Sequence, residues 1–124
     1  MSPRSEEFMA EAQERLAVAH TTLESGFPSA ALNPAYYAMS YAARAALSEE
    51  DRYAKTHPGT WLLFRETFVE SERFDAELAT DAEKTQQLRL GADYEARRVD
   101  VVEAEAVIQL ATRFVSAVEV LYPD

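Results

Sequence analysis

The sequence predicts an all-α fold, an antiparallel bundle of four to five helices forming a single domain over residues 1–124. Three observations carry the prediction. Glycine is scarce, with 3 in a chain that is 48% hydrophobic, and alanine recurs throughout; alanine loses no side-chain freedom in a helix. Apolar residues recur at three- and four-residue spacing in several long segments. No segment alternates apolar and polar residues as a half-buried strand would, and there is no internal repeat. A chain of 124 residues suits one compact core.

The first helix is expected over 5–24. Ser5 can cap it, Glu6 and Glu7 suit its first turn, and Phe8, Ala12, Leu16, Ala19 and Leu23 share a face. Ser25-Gly26 stops it. The second helix, about 28–48, reads PSAALNPAYYAMSYAARAALS. Pro28 suits a first turn. Pro34 removes a hydrogen bond inside the segment and predicts a kink or interruption there, with Asn33 available as a fresh cap. Ala38, Ala42 and Ala46 make a smooth stripe for close helix approach. The charged stretch EEDRYAKTHP, 49–58, reads as a loop.

A third helix is expected over about 59–71, with Trp61, Leu62, Phe64, Phe68 and Val69 as its apolar set. Asp75 caps a fourth, about 76–92, with Leu78, Ala82, Thr85 and Leu88 inward. Gly91 weakens its end by roughly 1 kcal/mol relative to alanine and would permit a bend. The last helix, about 99–121, places Val101, Ala104, Ile108, Ala111, Val115 and Val118 on one seam. Phe114 and Leu121 widen that seam, so it suits more than one neighbour.

Composition excludes several functions. There is no cysteine, and His20 and His57 form no ligand pair at helical spacing, so no metal site is expected. No glycine-rich phosphate loop or nucleophile elbow is present, and no cofactor is expected. The N-terminus lacks the apolar run of a signal peptide and no stretch is long enough to span a bilayer; a cytoplasmic location is the expectation. The formal net charge of −10 disfavours broad, non-specific nucleic-acid binding.

Three constellations carry polar chemistry. Tyr36, Tyr37 and Tyr41 on the second helix are either packing residues or the lining of a cleft. Lys55 and His57, in KTHPG, precede a helix start that attracts anions; the plainer reading is a polar turn capped by Thr56 or Thr60. Arg89 and Asp93, in LRLGADYEARR, are four apart and face the same way, with Tyr94 beside them. As an exposed ion pair they would contribute only about 0.3–0.5 kcal/mol.

Taken together, AYYAMSYAARAAL, KTHPGTWLLF, LRLGADYE and the closing AVIQLATRFVSAVEVL resemble the HEPN domain (higher eukaryotes and prokaryotes nucleotide-binding) from about residue 6 to 121, and most closely its small stand-alone prokaryotic branch. The resemblance implies a helical bundle that forms a homodimer. It also implies a frequent partnership with a minimal nucleotidyltransferase, often as a toxin–antitoxin pair. In the ribonuclease members an arginine and a histidine a few residues later form a composite site across the dimer. Arg89 matches that arginine and is the one catalytic candidate. Asp93 and Tyr94 stand where the histidine would fall, and Pro34 stands where an arginine is usual. An aspartate cannot act as a cation, and a tyrosine is a poor general base near neutral pH.

Three functions compete on these grounds. The first is a non-catalytic HEPN-like dimer that binds a nucleotide, RNA or another anionic ligand through Arg89, Asp93, Tyr94, Tyr37, Lys55 and His57. The second is a metal-independent ribonuclease toxin. The third is an interaction module for a nucleotidyltransferase. The missing histidine favours the first and third.

Overall fold

The structure, a computed structural model, describes residues 1–123. Five α-helices and no strands are present among them. Helix α1 runs Pro3–Glu24. Its cap is Ser2, whose side chain accepts from the Ser5 N–H, and Pro3 takes the first helical position, where its missing N–H has no cost. Ser5, expected as the cap, is instead fully buried, and its hydroxyl donates to Glu49 at 2.8 Å. The Ser2 N–H, followed by the Ser5 hydroxyl, holds the Glu49 carboxyl below its ordinary range. Gly26, with φ +92°, takes the left-handed turn after α1 that a side chain would resist.

Helix α2, Pro28–Glu49, is not interrupted. Pro34 lies inside it and is buried, and Asn33 caps nothing; its side-chain amide donates to Asp93 at 2.9 Å. The carbonyl that Pro34 cannot bond belongs to Ala30, an exposed position where water can serve it. Helix α3 runs His57–Phe64, two residues earlier than expected, with Thr56 as its cap. A π-helical turn, Arg65–Val69, follows and closes with the Glu70 N–H on the Arg65 carbonyl at 3.0 Å. The extra residue in this turn keeps both Phe64 and Phe68 fully buried, their rings 4.9 Å apart. Leu62, expected to be inward, is 54% exposed.

Helix α4 runs Ala76–Tyr94 behind the Asp75 cap. It passes through Gly91 without a bend into positive φ, and ends two residues beyond the expected 92. Helix α5, Val101–Leu121, starts after the Asp100 cap. Val99 is buried just outside it, whereas Val101, expected on the seam, is half exposed. Ala104, Ile108, Ala111, Phe114, Val115 and Val118 are all buried as the periodicity requires.

Helix α2 is the centre of the bundle and touches α1, α3, α4 and α5. Its stripe of Ala38, Ala42 and Ala46 is completely buried, because small side chains let the neighbouring backbones approach. Residue pairs fix the directions. Ser5 meets Glu49 at one end of α1, and Arg15 lies over Tyr37 further along, so α1 and α2 are antiparallel. Asn33 meets Asp93 and Tyr37 meets Arg89, so α4 is antiparallel to α2 as well. Trp61, Phe64, Phe68, Phe74 and Phe114 form one aromatic cluster between α3, the π turn and α5. No helix among the described residues is long and apolar enough to cross a membrane.

Candidate functional site

On its α4-facing side the alanines of α2 give way to polar residues, Asn33 and the tyrosine pair Tyr36 and Tyr37. Tyr36 and Tyr37 are consecutive, so they point to adjacent faces, and their rings meet edge to face at 5.5 Å. Tyr36 is fully buried and Tyr37 half-buried. Burial of a hydroxyl requires partners. The Tyr36 hydroxyl accepts from the Trp61 indole N–H at 2.9 Å and lies 2.9 Å from Nδ1 of His57. The Tyr37 hydroxyl lies 3.5 Å from Nε2 of the same imidazole. Burial pushes the Tyr36 phenol above its ordinary value.

His57 is the first residue of α3, held there by the Thr56 cap, whose hydroxyl accepts from the Gly59 N–H at 3.0 Å. That bond takes one of the helix-start amides that sequence reasoning left open to an anion. The imidazole rests against both tyrosine rings, 5.4 and 5.5 Å away. Burial, then the guanidinium groups of Arg44 and Arg89, hold its pKa below the ordinary 6.5, so the ring is neutral at neutral pH.

Arg89 reaches the same tyrosine pair from α4. Its guanidinium lies 5.5 Å from the Tyr36 ring centre and 5.3 Å from that of Tyr37. It is only 5% exposed, so it is not a surface ion pair with Asp93. Its Nε and Nη2 donate to the Gln86 side-chain oxygen at 3.2 and 3.0 Å, and Nη1 donates to Asp93 at 3.3 Å. A guanidinium carries five N–H groups. Three are therefore used, and one on each Nη has no hydrogen-bond partner among the described residues. Asp93 is fixed from the other side by Asn33.

Four of the six residues singled out in the sequence thus come together: Arg89, Asp93, Tyr37 and His57. Lys55 is exposed on the loop before Thr56, and Tyr94 is 76% exposed at the end of α4; neither bonds or stacks on the cluster. Sequence reasoning missed Asn33, Gln86 and Trp61 as members. Gln86 was detectable, since it lies three residues before Arg89 on one helix face. Asn33 was obscured by Pro34 beside it. No group of three or more His, Cys, Asp or Glu side chains among the described residues is placed to hold a metal ion.

Comparison with known proteins agrees with this architecture. A family model described as the HEPN domain matches residues 5–121. A UPF0332 protein of Gloeobacter violaceus is 26% identical over 111 residues, covering 90% of this chain and 88% of the relative. Two proteins of Methanocaldococcus jannaschii whose names mark them as candidate toxins are also similar. One is 30% identical over 108 residues, covering 87% of this chain and 81% of the relative. The other is 27% identical over 101 residues, covering 82% and 68%.

Proposed function

The chain belongs to the HEPN domain family, and from that membership we propose that it is a toxin-like HEPN protein whose Arg89–His57–tyrosine cluster binds an anionic group of a nucleotide or RNA. The observation that carries the reading is the convergence of Arg89 and His57, from two different helices, on one tyrosine pair. The two unused guanidinium N–H groups can take a phosphate oxygen each, the bidentate geometry in which arginine excels. Tyr37 and Asn33 are half-buried and can contact the ligand from the α2 side. Asp93, already bonded to Arg89, keeps the guanidinium oriented.

The test uses the single tryptophan as its reporter, because Trp61 is hydrogen-bonded to Tyr36 within the cluster. A short single-stranded RNA with 5′-hydroxyl ends changes Trp61 fluorescence on binding. His57 is neutral at pH 7.5 because its pKa is depressed, and it gains a positive charge as pH falls below 6.5 through the lowered value. Affinity therefore rises as pH is lowered from 7.5 through that value, and His57→Gln flattens the rise. Binding that is absent at every pH, or that rises equally in His57→Gln, contradicts the reading.

One observation favours a second reading, ribonuclease activity. The histidine missing after Arg89 has a spatial counterpart in His57, a neutral imidazole on the same tyrosines. The binding reading expects the RNA to remain intact. Cleavage lost in both Arg89→Ala and His57→Ala, with folding retained, would replace it with the second.

The same family reading includes a symmetric homodimer and a nucleotidyltransferase partner. Light scattering at micromolar concentration is expected to give twice the chain mass; a mass near 13.9 kDa would rule out the dimer.

A further inference from the structure

At the end of α2 remote from Asn33, the chain encloses a cavity of about 240 Å³ between the first turns of α1, the last turns of α2 and the loop that follows. Arg4, Arg44 and Arg52 line it, with Asp51 as the one acidic group. The chain has 22 acidic side chains against 12 basic ones, so an arginine has many carboxylates available as partners. Yet none of these three has a carboxylate within ion-pairing distance among the described residues. Arg4 and Arg44 rest on the rings of Phe8 and Tyr41, and Arg52 donates only to the Thr67 hydroxyl. The Nε of Arg44 is the single buried side-chain nitrogen or oxygen among the described residues with no hydrogen-bond partner.

Offsetting the negative end of α2 does not account for the arrangement. The closing carbonyls of α2, Leu47 and Ser48, are already taken by the N–H groups of Glu50, Arg52 and Asp51. Arg4 comes from another helix. Three guanidinium groups line the cavity against one carboxylate, and even with Glu50 near enough to Arg52 to feel its charge the positive groups are in excess; a buried donor without a partner is also costly in a protein interior. A phosphate monoester carries close to two negative charges at pH 7 and several acceptor oxygens. The cavity lies below the roughly 300–1,000 Å³ of sites that enclose a whole drug-sized ligand, so it suits the phosphate and the atoms next to it. Phe8 lines the wall, and Tyr53, 68% exposed at the margin, offers a ring to whatever extends outward.

We infer that this cavity is a second anion site that receives a terminal phosphate monoester. It shares no lining residue with the Arg89 cluster, although the charge of its Arg44 also reaches His57, so Arg52→Gln and Arg89→Ala are the variants that tell the two sites apart. The phosphate takes the outer Nη donors of Arg44 and the open donors of Arg52, and Arg4 completes the charge balance. Neither the Arg89 cluster nor the family membership requires this site.

Calorimetric titration with adenosine 5′-monophosphate, with adenosine as the uncharged control, tests it. The monophosphate is expected to bind and adenosine not to bind. Arg44→Gln is expected to weaken the monophosphate at least tenfold, and Arg52→Gln several-fold, whereas Arg113→Gln, an exposed charge change on α5, leaves it within twofold. Arg52 is exposed, so its variant serves if Arg44→Gln fails to fold. A second arm compares RNAs of one sequence with 5′-phosphate and 5′-hydroxyl ends. Preference for the phosphorylated RNA over the mononucleotide identifies an RNA end as the source of the phosphate; equal affinity identifies a small phosphate ester. No binding of the monophosphate at millimolar concentration, or wild-type binding in both Arg44→Gln and Arg52→Gln, overturns the inference. Monophosphate binding lost only through Arg89→Ala also overturns it, and leaves the Arg89 reading standing.

Discussion

Phe114→Ala is expected to destabilise the fold by about 3–5 kcal/mol, the range for removing a fully buried aromatic ring from a core. Phe114 is completely buried, and its ring lies 5.7, 5.5 and 5.0 Å from those of Trp61, Phe64 and Phe74. Truncation removes a partner from three rings at once, and the helices around it cannot collapse far because alanines already bring them close. Against a total of roughly 5–15 kcal/mol for a domain, this is a large share. At roughly 4 °C per kcal/mol, the melting temperature should fall by about 12–20 °C. Urea unfolding checks it directly, with a lower midpoint and an unchanged slope. A loss below about 1 kcal/mol would mean that the aromatic cluster is not the core that supports Trp61 and, through it, Tyr36.

Arg89→Ala is expected to lower both stability and ligand binding. With 5% exposure, Arg89 contributes more than an exposed pair: it packs on two rings and bonds Gln86 and Asp93. Asp93 keeps Asn33 as a partner, which limits the damage, so a loss of about 1–3 kcal/mol is expected. Binding of the 5′-hydroxyl RNA should weaken by roughly 10–100-fold, since a hydrogen bond to a charged group contributes about 1.5–3 kcal/mol. Arg89→Lys keeps the charge but loses the fork and should fall between the two. Unchanged affinity in Arg89→Ala, measured well below its melting temperature, would show that Arg89 only supports the fold.

The fold was largely legible in the sequence because its signals are local. Five helices, the Asp75 cap and the α5 seam follow from spacing and capping chemistry. The errors fall where tertiary contacts outweigh local ones. Ser5 looks like a cap, but Ser2 stands three residues earlier and Glu49, far away in sequence, makes burial of Ser5 favourable. Pro34 looks like a break, but α2 is enclosed by four helices whose packing outweighs one missing hydrogen bond. The π turn has no sequence mark beyond the spacing of Phe64 and Phe68.

The candidate site was legible as separate pieces. Tyr37, His57 and Arg89 were each visible, but only the antiparallel placement of α4 against α2 and the start of α3 brings them together. Linear spacing could not reveal that a histidine upstream of Arg89 occupies its neighbourhood. The arginine-lined cavity was invisible for the same reason: Arg4 lies far along the chain from Arg44 and Arg52, and the three share no motif.

The central claim is that Arg89 and His57 face one anion, and an NMR titration of the His57 imidazole with and without saturating 5′-hydroxyl RNA tests it most directly. In the free protein His57 should titrate below 6.5, held down by burial and by Arg44 and Arg89. With RNA bound, the phosphate should offset those positive charges and move the His57 titration upward. A His57 titration that is the same with and without saturating RNA would contradict the account.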